Sequence, residues 1–311
     1  MKISVLITTY LRPEYLKNCI KSIFDQSRPP EEIIVVYRSN DNETQDILDK
    51  IKKNVSQNLR FLTAQVNEPG VIAANNIGMK KITGDILVFI DDDAVAERDW
   101  LSKIERYYLS DSKVGAVGGR DMIHKSDGTI VEGYTNIVGK LTWYGKFSGG
   151  HHLQTQRVKK VDVLKGCNMS FRYTLIESEC DVNFVGDACN YETDLCFQIK
   201  RKGYKIIFDS TIMVHHFVAP RYLPGGRDML SHERLYYSHH NHGYVLLKNL
   251  TFFQKIIFFL YFFLFDSVKW LLKLKISQKP VRLLSSIIRG KKDAIKTYLK
   301  YKRNRKFLTL P

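Results

Sequence analysis

The segment Gly84-Asp85-Ile86-Leu87-Val88-Phe89-Ile90-Asp91-Asp92-Asp93 decides the fold. The unbroken apolar run from Ile86 to Ile90 reads as a strand buried on both faces, the pattern of a parallel sheet covered by helices. Three carboxylates follow where that strand ends. Adjacent like charges resist burial and call for a cation or for solvent. Ligands of open α/β sheets bind beyond the carboxyl ends of the strands. Asp91, Asp92 and Asp93 therefore read either as a divalent-metal site, whose hard oxygen ligands suit Mg²⁺ or Mn²⁺, or as a solvated acidic turn.

Upstream, Ile3 to Thr9 is a short apolar strand and Pro13 opens a helix carrying Leu16, Cys19, Ile20, Ile23 and Phe24 at helical spacing. Pro29-Pro30 stops it, and Ile33 to Val36 is a second buried strand, so the pair forms a right-handed βαβ unit. A polar helix over 43–53, a strand over 59–62 and a helix over 70–82 closed by Gly84 complete a nucleotide-binding half-sheet. Downstream, Val114 to Val117 is a strand, 121–160 reads as loops and short strands, and Tyr191 to Lys202 is a helix ended by Gly203. Strands over 204–208 and at Met213-Val214 precede His215-His216. The expected divisions are 1–110, 111–225 and a helical, basic region over 226–311.

The net charge of +16 invites a nucleic-acid reading, but its distribution excludes one for the body of the chain. Residues 1–225 hold 30 Lys+Arg against 28 Asp+Glu, whereas 226–311 hold 18 against 4. The five cysteines form no Cys-x-x-Cys pair, which reads as reduced thiols in a cytosolic compartment. Strand-like residues begin at Ile3, leaving no room for a signal peptide.

Five motifs in order resemble the family 2 glycosyltransferases: Val5-Leu6-Ile7-Thr8-Thr9-Tyr10; Gly70 with Ala74-Asn75-Asn76-Ile77-Gly78; Gly84-Asp85 with Asp91-Asp92-Asp93; Gly166-Cys167-Asn168-Met169-Ser170-Phe171-Arg172; and Glu192-Thr193-Asp194-Leu195 with Gly203. The resemblance runs from about Ile3 to His216 and implies the GT-A fold: α/β, with a mainly parallel, doubly wound central sheet, followed here by a helical basic C-terminal extension. It further implies inverting transfer of a sugar from a nucleotide diphosphate-sugar to an acceptor hydroxyl, assisted by Mn²⁺ or Mg²⁺. Asp93 and His215 are the implied metal ligands, with His216 less favoured. Glu192 is the implied base. Asp194 lies roughly 200° further round the same helix, so the two do not face one substrate. Thr8, Tyr10, Asn75, Asp85, Asp91 and Asp92 fall to the nucleotide. The family's usual carboxylate after the second strand is replaced by Tyr37-Arg38-Ser39-Asn40-Asp41, so Tyr37, Arg38 and Asp41 are the alternatives for that contact. Trp143, Asn168, Arg172 and Asp194 are expected around the acceptor and donor sugar, with Tyr144, His151 and His152 nearby. Arg221 and Arg227 flank an expected closing loop at Leu223-Pro224-Gly225-Gly226.

The apolar run from Ile256 to Phe265 is ten residues long, short of the roughly 20 a spanning helix needs. With Trp270 and its lysines, this segment suits a helix lying in the membrane interface. Leu284, Ile287, Ile288, Ile295, Tyr298 and Leu299 suggest a second amphipathic helix, and Lys300 to Lys306 a cluster attractive to anionic lipid. The expected partners are thus a nucleotide-sugar, a glycan or lipid-linked acceptor and an anionic membrane surface, with no nucleic acid. The expected location is cytoplasmic, peripheral on the inner face of the cell membrane. Two other readings stand beside this one: a non-catalytic sugar-nucleotide-binding or scaffold protein on the same fold, and a polyanion binder acting through the tail.

Overall fold

The computed structural model describes residues 1–222, 230–274 and 280–308. The strands are β1 (Ile3–Thr9), β2 (Glu32–Arg38), β3 (Arg60–Val66), β4 (Ile86–Ile90), β5 (Ala94–Ala96), β6 (Val114–His124), β7 (Lys140–Leu141), β8 (Phe147–Ser148), β9 (Lys159–Lys160), β10 (Asn168–Arg172) and β11 (Lys205–Phe217). The helices are α1 (Pro13–Phe24), α2 (Asn42–Lys52), α3 (Val71–Met79), α4 (Trp100–Ser110), α5 (Tyr191–Arg201), α6 (His232–Asn249), α7 (Phe252–Leu260), α8 (Asp266–Leu274) and α9 (Pro280–Leu308). The expected loop at 223–227 lies outside the described residues. Two compact units emerge: Met1–Lys140, Ser148–Cys180 and Leu195–Ala219 form one, and Leu141–Phe147, Asp181–Asp194 and Pro220–Pro311 the other.

The first unit is built on one sheet in the order β3-β2-β1-β4-β10-β6-β11-β5, with β9 on β11. Strands β3, β2, β1 and β4 run parallel, β10 is antiparallel to both its neighbours, and β6 and β11 are parallel. Strands from both expected halves, 1–110 and 111–225, take part in this one sheet. The buried runs of β1, β2 and β4 account for the central strands, and Leu16, Cys19, Ile20 and Ile23 of α1 pack into the same core. Strand order reverses at β1, which places a ligand crevice beyond the carboxyl ends of β1 and β4. Thr9 and Asp91 stand at those two ends.

Several boundaries differ from expectation. β3 reaches Val66, because Thr63 and Gln65 belong to an edge strand with one polar face. α3 ends at Met79, so Gly84 is not its stop. Gly84 serves close packing instead: a Cβ there would lie 2.4 Å from Ser4 Oγ, to which the Gly84 amide donates. The two strand pieces expected over 204–214 are one strand, β11, with a register shift between Asp209 and Met213. Gly119 of β6 makes that bend possible, since a Cβ on it would fall 1.8 Å from the Ile212 carbonyl oxygen.

In the second unit α6 lies along α9. Leu235, Leu283 and Ile287 pack together, and Gly243 and Gly290 give the close approaches, Gly243 to Ala294 and Gly290 to the Tyr236 carbonyl. Between α7 and α8 the chain makes a π-turn at Tyr261–Phe265. The buried Lys291 ammonium fills it, donating to the Phe262 carbonyl and to Ser267 Oγ and pairing with Asp266 at 2.8 Å. Phe258 and Phe262 point inward, while Phe253, Ile256, Leu260, Leu264, Val268 and Leu271 form an outward stripe at three- and four-residue spacing, each between 47% and 76% exposed. No helix among the described residues is long and apolar enough to cross a membrane.

Two stability predictions follow from this packing. Gly119→Ala sets a methyl against backbone rather than a yielding side chain, and is expected to cost about 2–3 kcal/mol in urea unfolding; an unchanged midpoint would refute the close-approach reading. His242 is enclosed by Phe147, Phe258 and Phe262. That burial, reinforced by His239 and Lys291, pushes its pKa down to about 4. The unfolded imidazole protonates near 6.5. His242 therefore stabilises the fold fully above about pH 6.5, and the contribution is lost as pH falls toward 4, by up to about 2 kcal/mol at pH 5. Unfolding at pH 7.5 and 5, with His242→Phe as comparison, should show this loss in the parent chain and less of it in the variant.

Candidate functional site

The carboxylates after β4 have three different environments. Asp92 is buried; its Oδ2 accepts from Thr9 Oγ1 at 2.7 Å and its Oδ1 from Arg12 Nη1 at 2.7 Å. Asp93 is also buried, with Oδ1 3.2 Å from His216 Nε2 and Oδ2 accepting from the Ala219 amide at 3.0 Å. Asp91 is only half-buried, and one of its oxygens lies with Cys167 Sγ and a His216 ring nitrogen in a group spanning no more than 4.8 Å. Burial and Asp93 raise the Asp92 pKa to about 6 against the pull of Arg12. Asp93 is held at about 2, because His216 and the Ala219 amide overcome the burial that would raise it. His216 stays protonated far above the usual imidazole range: burial opposes this, but Cys167, Asp121 and Asp93 outweigh it. Asp121, paired with Lys165, stands behind His216 at 3.7 Å from Nδ1.

His215 does not join this group. Successive strand residues point to opposite faces, and His215 turns to Glu97 Oε1 at 2.7 Å and His124 Nε2 at 2.9 Å. The residue that faces Asp93 is His216. Asp85 and Arg172 are likewise elsewhere. Asp85 precedes β4 and accepts from the Lys2 amide, while Arg172 pairs in register with Ile86 and lies over the Tyr108 ring. Both stand at the opposite end of the five-residue β4 from Asp91, roughly 17–20 Å away at strand rise. Asn168 is at the right end but buried: its Oδ1 accepts from Trp100 Nε1, and its Nδ2 donates to the Arg120 and Ile212 carbonyls. His151 is buried with Nε2 at the Val163 carbonyl.

At the carboxyl ends of β1 and β2, half-buried Thr8 pairs with Val36, and the Arg38 guanidinium lies 5.3 Å from the Tyr10 ring centre. Tyr37 is buried and its hydroxyl accepts from Gln65. Asp41 is committed to capping α2: it accepts from the Thr44 amide and hydroxyl and from the Leu11 amide. Arg38 Nε and Asn75 Nδ2 are buried donors without a hydrogen-bond partner among the described residues.

In the second unit, Glu192 stands half-buried in the first turn of α5, where the helix dipole favours a carboxylate. The approach to it is strained, with positive φ at the non-glycine residues Ala188 (53°) and Asn190 (74°). α6 holds this segment. Asn241 takes both backbone groups of Val185, and Lys248 bridges Asp181 at 2.6 Å and Asp194 at 2.8 Å, with Asn249 also on Asp194. The Asp194 carboxylate is therefore occupied within the protein. Trp143 is 68% exposed, edge-on to Tyr144. Sequence reasoning missed Arg12, Thr9, Cys167, Asp121, Lys165, Asn241 and Lys248 as members of these two clusters. Arg12 carried a signal, since a cation just before a helix that follows the first strand stands at the switch-point edge.

Comparison with known proteins matches residues 4–177 to the family model described as Glycosyl transferase family 2, a span that includes Asp91–Asp93 and stops short of Glu192 and His216. The chain is 27% identical over 192 residues to Glycosyltransferase GlyA of Streptococcus pneumoniae, covering 60% of this chain but only 27% of GlyA. It is 24% identical over 230 residues to a glucosyl-dolichyl phosphate glucuronosyltransferase of Haloferax volcanii, covering 70% of this chain and 69% of that one. Among solved structures, the mannosyltransferase PcManGT of Pyrobaculum calidifontis, in complex with GDP-Man and Mn²⁺, superposes with a TM-score of 0.59 at 15% identity, over 96% of this chain and 87% of that one. That last likeness concerns the fold. The family match spans more than half of the sequence and is centred on the carboxylates at the sheet's switch point, and the chain belongs to glycosyl transferase family 2.

Proposed function

We propose that the chain transfers a sugar, with inversion, from a nucleotide diphosphate-sugar to an acceptor hydroxyl. The observation that carries this reading is the division of labour at the end of β4: Asp92 and Asp93 are tied into the protein by Thr9, Arg12, His216 and Ala219, while Asp91 remains half-exposed at the switch point. Asp91 and Asp93 fit a divalent cation, Mn²⁺ or Mg²⁺, because three adjacent carboxylates present hard oxygens and outnumber the cations Arg12 and His216 around them, and His216 would join them as a ligand on giving up a ring proton. Such an ion supplies Lewis-acid stabilisation to a departing diphosphate. Arg38 and Asn75 would donate their unpartnered N–H groups to nucleotide oxygens, beside the Tyr10 ring. Glu192 would accept the proton of the acceptor hydroxyl, its position fixed by the strained approach and by α6. Asp194, bound to Lys248, keeps that helix start in place instead of meeting substrate. Trp143 offers an exposed ring on which a sugar face can stack.

A lipid-linked glycan or surface-polysaccharide precursor is the acceptor class we favour. The relative from Haloferax volcanii carries a dolichyl phosphate substrate in its name. The apolar stripe of α7 and α8, in a region bearing 18 Lys+Arg against 4 Asp+Glu, suits docking on the inner face of an anionic membrane.

Two experiments test the proposal. Calorimetry with UDP, GDP and dTDP, each with and without Mn²⁺, should show metal-dependent binding of one nucleotide, lost in Asp93→Ala. Glu192→Gln should keep that binding while turnover falls about 10²- to 10⁴-fold; normal turnover in this variant would remove Glu192 from the base role. Failure of every nucleotide to bind, with lipid present, would favour the scaffold reading. For the membrane, co-sedimentation with anionic phosphatidylserine vesicles should drop at least about tenfold in Phe253→Asp/Leu264→Asp, as expected from losing two insertable side chains. Equal sedimentation of variant and parent would end the docking reading.

A further inference from the structure

The carboxylate cluster contains one donor that a hard-cation site does not need, the thiol of Cys167. This residue is 1% exposed, just ahead of β10. Its Sγ, a carboxylate oxygen of Asp91 and a ring nitrogen of His216 all lie within 4.8 Å of one another. A second observation concerns the same histidine. His216 Nδ1 is a buried polar atom without a hydrogen-bond partner among the described residues, and the 1% exposed Asp121 stands 3.7 Å from it. A tetrahedral zinc site has Zn–S near 2.3 Å and Zn–N or Zn–O of about 2.0–2.2 Å, which sets its ligand atoms roughly 3.3–3.7 Å apart. The three donors need to close by at most about 1.5 Å to meet that geometry, a side-chain adjustment.

Manganese and magnesium favour all-oxygen sets, whereas a mixed carboxylate, imidazole and thiolate set favours a borderline-soft ion. We propose that Asp91, Cys167 and His216 form a binding site for Zn²⁺, with water or a neighbouring carboxylate as fourth ligand. On binding, the Cys167 sulfur–hydrogen bond and the N–H bond at the ligating nitrogen of protonated His216 both break, the two protons pass to solvent, and the thiolate and imidazole electron pairs go to the metal. His216 also faces Asp93 at 3.2 Å, so zinc draws the histidine away from the hard-oxygen site, and Zn²⁺ excludes Mn²⁺. Only that exclusion rests on the transferase reading; the zinc site itself stands on the geometry of the cluster.

The test uses the full chain with Co²⁺ as a spectroscopic stand-in for zinc. One equivalent should produce a thiolate-to-cobalt charge-transfer band in the near ultraviolet, bleached by one equivalent of Zn²⁺. Cys167→Ser should lose the band and bind Zn²⁺ about tenfold or more weakly. Cys19→Ser should keep both, although Cys19 Sγ lies 3.5 Å from the Asp91 carbonyl. Saturation of the parent protein with Co²⁺ and no thiolate band overturns the proposal without reference to any variant's folding. The same outcome alongside normal Mn²⁺-dependent nucleotide binding would leave the transferase reading intact. A thiolate band in a protein that binds no nucleotide with any metal would support the zinc site and remove the transferase reading.

Discussion

Three adjacent carboxylates at the inner end of a fully buried strand impose a constraint that the surrounding elements answer. Removing an ionised carboxylate from water is expensive unless charge and hydrogen bonds replace the solvent. Asp92 gets both from β1 and the start of α1, through Thr9 and Arg12. Asp93 gets them from the end of β11, through His216 and Ala219. The partners are far apart in sequence and come from both sides of β4, so the cluster fastens the carboxyl ends of β1, β4 and β11 to one point. A cluster in which every carboxylate was so fastened would be purely structural. Asp91, half-exposed and beside Cys167 and His216, leaves it with unsatisfied ligand capacity.

Much of the first unit was legible because its strands are of the kind a sequence shows plainly. β1, β2 and β4 are continuous apolar runs, and α1 has a proline at its start and apolar residues at helical spacing. What stayed hidden was geometry that no local pattern encodes. Asp85 sits in the same motif as Asp91, yet a five-residue strand separates them and carries them to opposite edges of the sheet. His215 and His216 are neighbours in sequence but face opposite sides of β11. Choosing between them needed the phase of a strand whose register slips at the Gly119–Ile212 approach. Sequence reading took that strand for two pieces and so had no phase to count from.

The region expected to be a basic appendage has a second duty within its own unit. Asn241 and Lys248 lie on the buried side of α6 and hold Val185, Asp181 and Asp194, the segment leading into Glu192. Nothing in the spacing of α6 announces these contacts, because each is a long-range polar pairing. The positive φ values at Ala188 and Asn190 show why such a brace is useful: a strained approach relaxes unless its surroundings over-determine it. Removing the C-terminal region therefore does more than remove a surface for lipid, and a truncated chain with no activity says little about membranes.

The charge and hydropathy of that region also separate in a way its composition conceals. The helix from Phe252 to Leu274 is apolar on nearly every side, which ordinarily marks a buried or spanning segment. Here Phe258 and Phe262 enter the unit, and Asp266, at the end of the π-helical turn, meets the buried Lys291 ammonium. Phe253, Ile256, Leu260, Leu264, Val268 and Leu271 recur on the outside at the three- and four-residue spacing of an ordinary helical face. The buried lysine, donating to the Phe262 carbonyl, thus fastens the inner side of the segment, while the helical repeat of its apolar residues supplies the surface that would meet a membrane.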